Sequence, residues 1–168
     1  MNILIISNCP LESSQGSSYV ICGFAEGMRK RGHSIRAFGP DDYILFPRIK
    51  RAKRIRMFAG YTLKAIGEAW KLRCQPDINE LWGSVGWLAC LVLTSWRPSQ
   101  CKVISRSNGL EPHYRQVSQK ASQRLNARIL LSRFESWTDG IGFRRADKLT
   151  VVSPYDEEFA LTKGYQQK

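Results

Sequence analysis

Asn2-Ile3-Leu4-Ile5-Ile6-Ser7, the loop Asn8-Cys9-Pro10-Leu11-Glu12-Ser13-Ser14-Gln15-Gly16, the stretch from Ser17 to Gly32, and Ser34-Ile35-Arg36-Ala37-Phe38 together decide the fold. The first run is continuously apolar and bounded by turn residues, as in a strand buried on both faces. The loop is too polar and too rich in Pro, Ser and Gly to extend it. From Ser17 the period changes. Val20, Phe24 and Met28 recur every four residues with Ile21 and Ala25 beside them, so the spacing predicts a helix with one apolar stripe. Ser17 or Ser18 is placed to cap its first N–H groups. Arg29-Lys30-Arg31 sets cations at the negative end of the helix dipole just before Gly32. Strand, helix, strand is a right-handed crossover, and its first loop lies at the carboxyl end of the first strand, where open α/β sheets hold ligands.

A chain of 168 residues, 43% of them apolar, has the material for one domain with a proper core. The net charge of +12 implies an anionic partner, whether nucleic acid, phospholipid or a phosphate-bearing substrate. Cys9, Cys22, Cys74, Cys90 and Cys101 are an odd set without Cys-x-x-Cys spacing, as expected of reduced thiols in a cytosolic protein. Met1 to Ser7 lacks a positive leader, and Val85 to Leu93 falls short of the roughly 20 residues a membrane span needs. The expectation is a cytoplasmic protein, with peripheral association at the inner membrane face left open.

Gly39-Pro40-Asp41-Asp42-Tyr43 reads as a turn. The next stretch is the most biased of the chain. Arg48, Lys50, Arg51, Lys53, Arg54 and Arg56 crowd its start, Lys64, Lys71 and Arg73 follow, and Glu68 is its one acid. Ile55, Ala59, Leu63, Ile66 and Trp70 keep helical spacing, with Phe58 at the edge of the stripe, so part of the segment is an amphipathic helix with most of its cations off the stripe. Two readings are open. Either the stripe faces the core and the charged back is solvated, or the segment lies on an anionic membrane surface or cradles an anionic acceptor, with Met57 and Tyr61, off the stripe, as apolar inserts.

Pro76 to Trp82 reads as a short strand ended by Gly83, and Ser84 to Trp96 as a buried helix stopped by Arg97-Pro98. Lys102 to Ser107 is a strand ended by Asn108-Gly109. His113 to Arg145 is mostly helical in composition, with Leu130, Leu131, Phe134 and Trp137 as its apolar set and Gly140 and Gly142 dividing it. Ala146 to Val152 is the last strand. Ser153-Pro154-Tyr155-Asp156 then opens a helix with Ser as cap, Pro in the first position and an acid in the third, and Gly164 ends it. The alternation predicts an α/β, Rossmann-like three-layer sandwich with a mostly parallel, doubly wound sheet, in a single domain.

Such a sheet points its carboxyl-end loops to one edge. The candidates there are Gln15-Gly16-Ser17, Gly39-Pro40-Asp41, Trp82-Gly83-Ser84, the stretch Arg106-Ser107-Asn108-Gly109-Leu110-Glu111, and Ser153 with Pro154. The Gly16 loop precedes a helix N-terminus, whose free N–H groups attract phosphate or carboxylate. Gly16 and Gly23 are seven apart, which is not the dinucleotide fingerprint, and no Gly-Lys-Ser/Thr follows as in a P-loop. A nicotinamide dehydrogenase and a nucleoside triphosphatase are therefore disfavoured. Asn108 and Glu111 are candidates for hydrogen bonding to sugar hydroxyls, and His113 for binding or proton transfer. Asn108-Gly109 is also ordinary turn chemistry, and Pro112 a good helix start. His33 falls at the opposite edge and reads as structural. No Cys/His cluster has metal-ligand spacing, and no nucleophile elbow is present. Nucleic acid is disfavoured as a partner because aromatics are not interleaved with the cations.

Met1 to Ser7, the Gly16 loop, Arg31-Gly32-His33-Ser34-Ile35, Arg106 to Glu111 and Ala146 to Ser153 resemble, in order, landmarks of the acceptor domain of retaining, two-Rossmann-domain glycosyltransferases of family four. The resemblance covers nearly the whole chain. It implies a nucleotide-sugar donor as substrate, no cofactor, a metal-independent mechanism and an active cleft between two Rossmann-like domains. It also implies that Gln15, Gly16 and Ser17 approach the donor diphosphate and that Asn108-Gly109 faces the transferring sugar. Trp82, Gly83, Arg106, Ser107, His113 and Ser153 are then the acceptor side of the cleft. Many relatives carry histidine where this chain has Asn108. An amide does not change protonation state near neutrality, so Asn108, with Glu111 near it, would work by hydrogen bonding.

The family continues into a second, donor-binding domain. Residues 1–168 are accordingly expected to be the N-terminal, acceptor-side domain, inactive until that domain or a separate subunit supplies the other wall. The expected acceptor is a glycan or a lipid-linked glycan. Two competing expectations are a non-catalytic basic α/β module for anionic membrane lipid or nucleic acid, and a small α/β enzyme complete in one domain.

Overall fold

The computed structural model describes all residues except 13, 15, 50, 51, 72–75, 97–99, 108, 110, 111, 113–126 and 166–168; the side chains of 54, 84 and 127–132 also lie outside the description. Five strands make one sheet: β1 (Asn2–Ser7), β2 (Ser34–Phe38), β3 (Ile78–Trp82), β4 (Lys102–Arg106) and β5 (Lys148–Thr150). Their order is β2-β1-β3-β4-β5 and every neighbouring pair is parallel. The helices among the described residues are α1 (Gly16–Lys30), α2 (Pro40–Tyr43), α3 (Lys53–Lys71), α4 (Trp87–Trp96), α5 (Ala127–Arg145) and α6 (Pro154–Thr162).

β1 is the middle of the core because its alternation supplies both faces. Ile3 and Ile5 pack with Ile21 and Ala25 of α1 on one side. Leu4 and Ile6 pack with Tyr61, Ala65 and Ala69 of α3 and with Ala89 and Leu93 of α4 on the other. This is the expected three-layer arrangement. α1 ends where Gly32 turns with φ 82°, its N–H donating to the Arg29 carbonyl (2.9 Å). It begins at Gly16, and the Ser18 hydroxyl donates to the Pro10 carbonyl instead of capping. The Ser153 cap of α6 is as expected: its oxygen accepts the Asp156 N–H at 3.1 Å.

Several local expectations need correction. The α1 stripe centres on Ile21 and Ala25, with Val20 outside it and exposed. Gly39 to Tyr43 includes the short helix α2, and Ser84–Gly86 is a 3₁₀ turn ahead of α4. The Ser84 to Trp96 stretch is not buried all round, since Trp96 is exposed. Gly140 and Gly142 do not divide α5. They are points of close approach: a Cβ on Gly142 would lie 2.7 Å from the Trp87 Cα, and one on Gly140 2.9 Å from the Tyr165 hydroxyl. Phe134 and Trp137 are exposed, while Leu130 and Leu131 lie outside the described side chains.

The largest correction concerns α3. Tyr61 is fully buried and Met57 packs on the core, whereas Ile55, Leu63 and Trp70 face solvent. The inner side is built from small residues around Tyr61, and at Gly60 an added Cβ would meet the Tyr43 carbonyl oxygen at 1.9 Å. Only such a side can press this closely on its neighbours.

Of the cysteines, Cys9, Cys22, Cys90 and Cys101 form no disulfide, and Cys90 and Cys101 are buried; Cys74 is outside the described residues. β5 is one of the two edge strands, and a groove of about 500 Å³ runs between it and α6, lined by Thr150, Val152, Glu157 and Leu161 among others. Among the described residues no helix is long and apolar enough to cross a membrane.

Candidate active crevice at the carboxyl edge

β1 lies between β2 and β3, so the chain reverses its direction of travel across the sheet at β1. Loops leaving β1 and β3 run to opposite faces there, to α1 and to α4, which is where open α/β sheets hold ligands. The ladder runs one residue past the strands. Asn8 N–H donates to the Trp82 carbonyl (3.2 Å), Gly83 N–H to the Arg106 carbonyl (2.9 Å) and Ser107 N–H to the Thr150 carbonyl (2.9 Å). Asn8, Gly83 and Ser107 therefore stand in a row along the rim. Gly83 has φ 91°, and a Cβ there would come within 2.2 Å of Asn8 Nδ2, so the Asn8 amide occupies the space a side chain would need.

Beneath the rim lies a charged pair in an aromatic setting. Glu80 is buried in β3, accepts the Trp82 indole N–H at 3.0 Å and pairs with the Arg106 guanidinium at 3.1 Å. That guanidinium lies 4.8 Å from the centre of the Trp82 ring and 4.9 Å from that of Phe24, within cation–π range. β1 is held at the same level by two tyrosines. The Tyr43 hydroxyl donates to the Ser7 carbonyl (2.8 Å) and the Tyr61 hydroxyl to the Ile6 carbonyl (2.9 Å), their rings edge to face at 5.4 Å.

No family model and no curated protein matches the sequence. Among solved structures, the chain is similar to the catalytic domain of starch synthase IV from Arabidopsis thaliana bound to ADP and acarbose, with a TM-score of 0.60 and 12% identity. The fold is shared. The likeness covers 97% of this chain and 47% of that one, so this chain spans about half the length of the starch synthase domain it matches.

On this shared frame the rim candidates separate. Gly16 opens α1, with open space where a Cβ would be and no acid in the first helical turn to offset the positive end of the helix. Ser17 is half-buried beside it, and Gln15 is outside the described residues. Gly83, Ser107 and Gly109 lie along the same edge, with the Ser107 hydroxyl donating to the Gly109 carbonyl at 2.8 Å. Arg106 is at the end of β4 but committed to Glu80. Trp82 is core, packed with Ile3 and Ile5. Ser153 is on the carboxyl side of β5, its hydroxyl engaged with Asp156. Asn108, Glu111 and His113 are outside the described residues.

The basic candidates also divide. Arg48 and Lys53 are exposed, Arg56 donates to the carbonyls of Leu45, Phe46 and Ile49, and Lys50, Arg51 and the Arg54 side chain lie outside the description. Among the described residues no cluster of His, Cys, Asp or Glu could hold a metal. The rim residues that sequence reasoning missed are Asn8, Phe24 and Glu80. Glu80 left a legible trace, because an acid inside an apolar strand needs a buried partner.

Burial raises the Tyr43 hydroxyl well above the ordinary value of 10.0, helped by the neighbouring Cys9 and Asp41, and burial does the same to Tyr61. The neutral form is favoured in the fold, so the stabilisation is complete below about pH 10 and is lost as pH rises towards the folded values. Alkaline unfolding is expected to set in above about pH 10, with tyrosinate absorbance for these two appearing only as the fold is lost. Tyr43→Phe with Tyr61→Phe should flatten that limb. Tyrosinate absorbance that the double substitution removes, seen while circular dichroism stayed native, would refute this.

Proposed function

We propose that this chain is the acceptor-side half of a glycosyltransferase that moves a sugar from a nucleotide-sugar donor to a glycan or lipid-linked acceptor, with a donor-binding domain supplying the opposite wall of the cleft. The observation carrying the reading is the fold shared along nearly the whole chain with half of a starch synthase catalytic domain solved with ADP and acarbose. The exposed start of α1 gives that wall an anion-favouring helix end for a diphosphate, and the Asn8 side-chain amide beside Gly83 on the same edge gives it a donor for a hydroxyl. Gln15, Gly16 and Ser17 are assigned to the diphosphate, and Asn108, Glu111 and His113 to the sugar and its acceptor. Arg106 acts by fixing the ends of β3 and β4 through Glu80.

The test is a titration of the isotope-labelled chain with a panel of nucleotide sugars, followed by NMR. Weak binding is expected, with shifts gathered at Gly16, Ser17, Gly83 and Ser107, and no transfer until a donor-binding domain is fused or mixed in. Gly16→Asp, which sets a like charge against the diphosphate, should abolish the shifts and leave the fold intact. Shifts at the amino edge of the sheet would overturn the assignment. Micromolar binding with turnover by the chain alone would instead make it an enzyme complete in one domain.

A further inference from the structure

The outward side of α3 carries the helix's large apolar side chains. Ile55, Leu63 and Trp70 are 70%, 61% and 72% exposed. At about 100° per residue they fall within about 80° of one another, along about 22 Å of helix. The half-buried Ala59 and Ile66 lie between them. The surface continues at both ends. Phe46 and Ile49 are exposed in the preceding loop, which the Arg56 guanidinium ties to the first turn of α3 through the carbonyls of Leu45, Phe46 and Ile49. At the other end Trp96, the last residue of α4, shares with Trp70 a narrow groove lined by Ile66, Val92 and Leu93.

The charges of α3 itself are one-sided. α3 carries Lys53, Arg54, Arg56, Lys64 and Lys71 against the single acid Glu68. Glu68 is turned inward and buried, bonded to Arg36 (2.7 Å), Lys64 (3.3 Å) and Lys71 (3.3 Å). Burial pushes its carboxyl up, but the hydrogen bonds from Lys64 and Lys71 outweigh this and hold it below the ordinary 4.5. The acid of α3 is thus spent inside, while Arg48, Lys53 and Lys71 remain on the surface.

An apolar stripe with tryptophan at its end and cations along its flank matches the interface of an anionic bilayer: hydrocarbon below, tryptophan at headgroup depth, lysine and arginine among phosphates. We propose that the outer side of α3, with the loop 46–49, docks on an anionic phospholipid bilayer with the helix lying in the interfacial plane. This stands apart from the sugar-transfer reading, since it uses no rim residue.

The full chain is tested against vesicles of phosphatidylcholine alone and of phosphatidylcholine with phosphatidylglycerol, by flotation and by tryptophan fluorescence with brominated acyl chains. Flotation is expected with the anionic vesicles and should weaken as salt rises. Brominated lipid should quench the fluorescence, and Trp70→Phe should remove a clear share of that quenching. Leu63→Ser with Trp70→Ser should lower partitioning by about tenfold or more with circular dichroism unchanged. Equal flotation with neutral vesicles, or quenching indifferent to Trp70→Phe, overturns the proposal. So does a concentration-dependent dimer that Leu63→Ser disperses in the absence of vesicle binding, which would give the stripe to a second copy of the chain.

Discussion

Glu80→Ala is expected to destabilise the fold towards the lower end of about 3–5 kcal/mol, because it leaves a partly buried guanidinium unpaired. It also takes the acceptor from the Trp82 indole N–H, 3.0 Å away in the native fold. The Arg106 side chain keeps 23% of its surface, so water recovers part of the loss. Against a total stability of about 5–15 kcal/mol, such a change is visible in any urea melt. Glu80→Leu combined with Arg106→Met should regain most of it, since replacing both charges by apolar groups removes the desolvation penalty along with the attraction. A single-variant loss under about 1 kcal/mol, the range of a surface ion pair, would mean that Glu80 is not the buried anchor of β3 and β4.

The second large effect is expected at Gly60. Alanine is the better helix former by about 1 kcal/mol, yet here its Cβ would overlap the Tyr43 carbonyl oxygen at 1.9 Å. A backbone oxygen cannot rotate aside as a flexible side chain can, so α3 must lift from α2, at a cost of about 1–3 kcal/mol or more. The Tyr43 hydroxyl bond to the end of β1 would be drawn along with it. Gly67 of the same helix is the control, because nothing lies within 4 Å of its Cβ position. Gly67→Ala should raise the thermal midpoint and Gly60→Ala lower it. Shifts of the same sign would show that propensity, not proximity, governs the helix.

The fold was legible wherever period and punctuation agree. Asn2–Ser7 is bounded as its apolar run predicts, and the Ser153-Pro154 start of α6 is local chemistry that needs no distant partner. The inner side of α3 was not legible. Hydrophobicity alone points to Ile55, Leu63 and Trp70, but the contact is made by Tyr61, Ala65 and Ala69, whose fit depends on the Ile6 carbonyl and on Tyr43. Gly140 and Gly142 misled for the same reason: a glycine chosen for closeness to Trp87 or Tyr165 looks, along the chain, like one chosen to break a helix. At the site, topology alone predicted that Gly16, Gly83 and Ser107 share an edge. The pairing of Glu80 with Arg106 depends on the Trp82 and Arg106 register, which no single strand encodes.

The central position of β1 also bears on how the protein is made. Ile3-Leu4-Ile5-Ile6 leaves the ribosome ahead of the other four strands, but its β3 partners, Ile78 to Trp82, follow only after β2 and all of α3. At about 5–20 residues per second the nascent chain spends roughly 4–15 s with one flank of its most aggregation-prone segment uncovered. Translation speed and holdase chaperones, acting in that interval, thus bear directly on soluble yield.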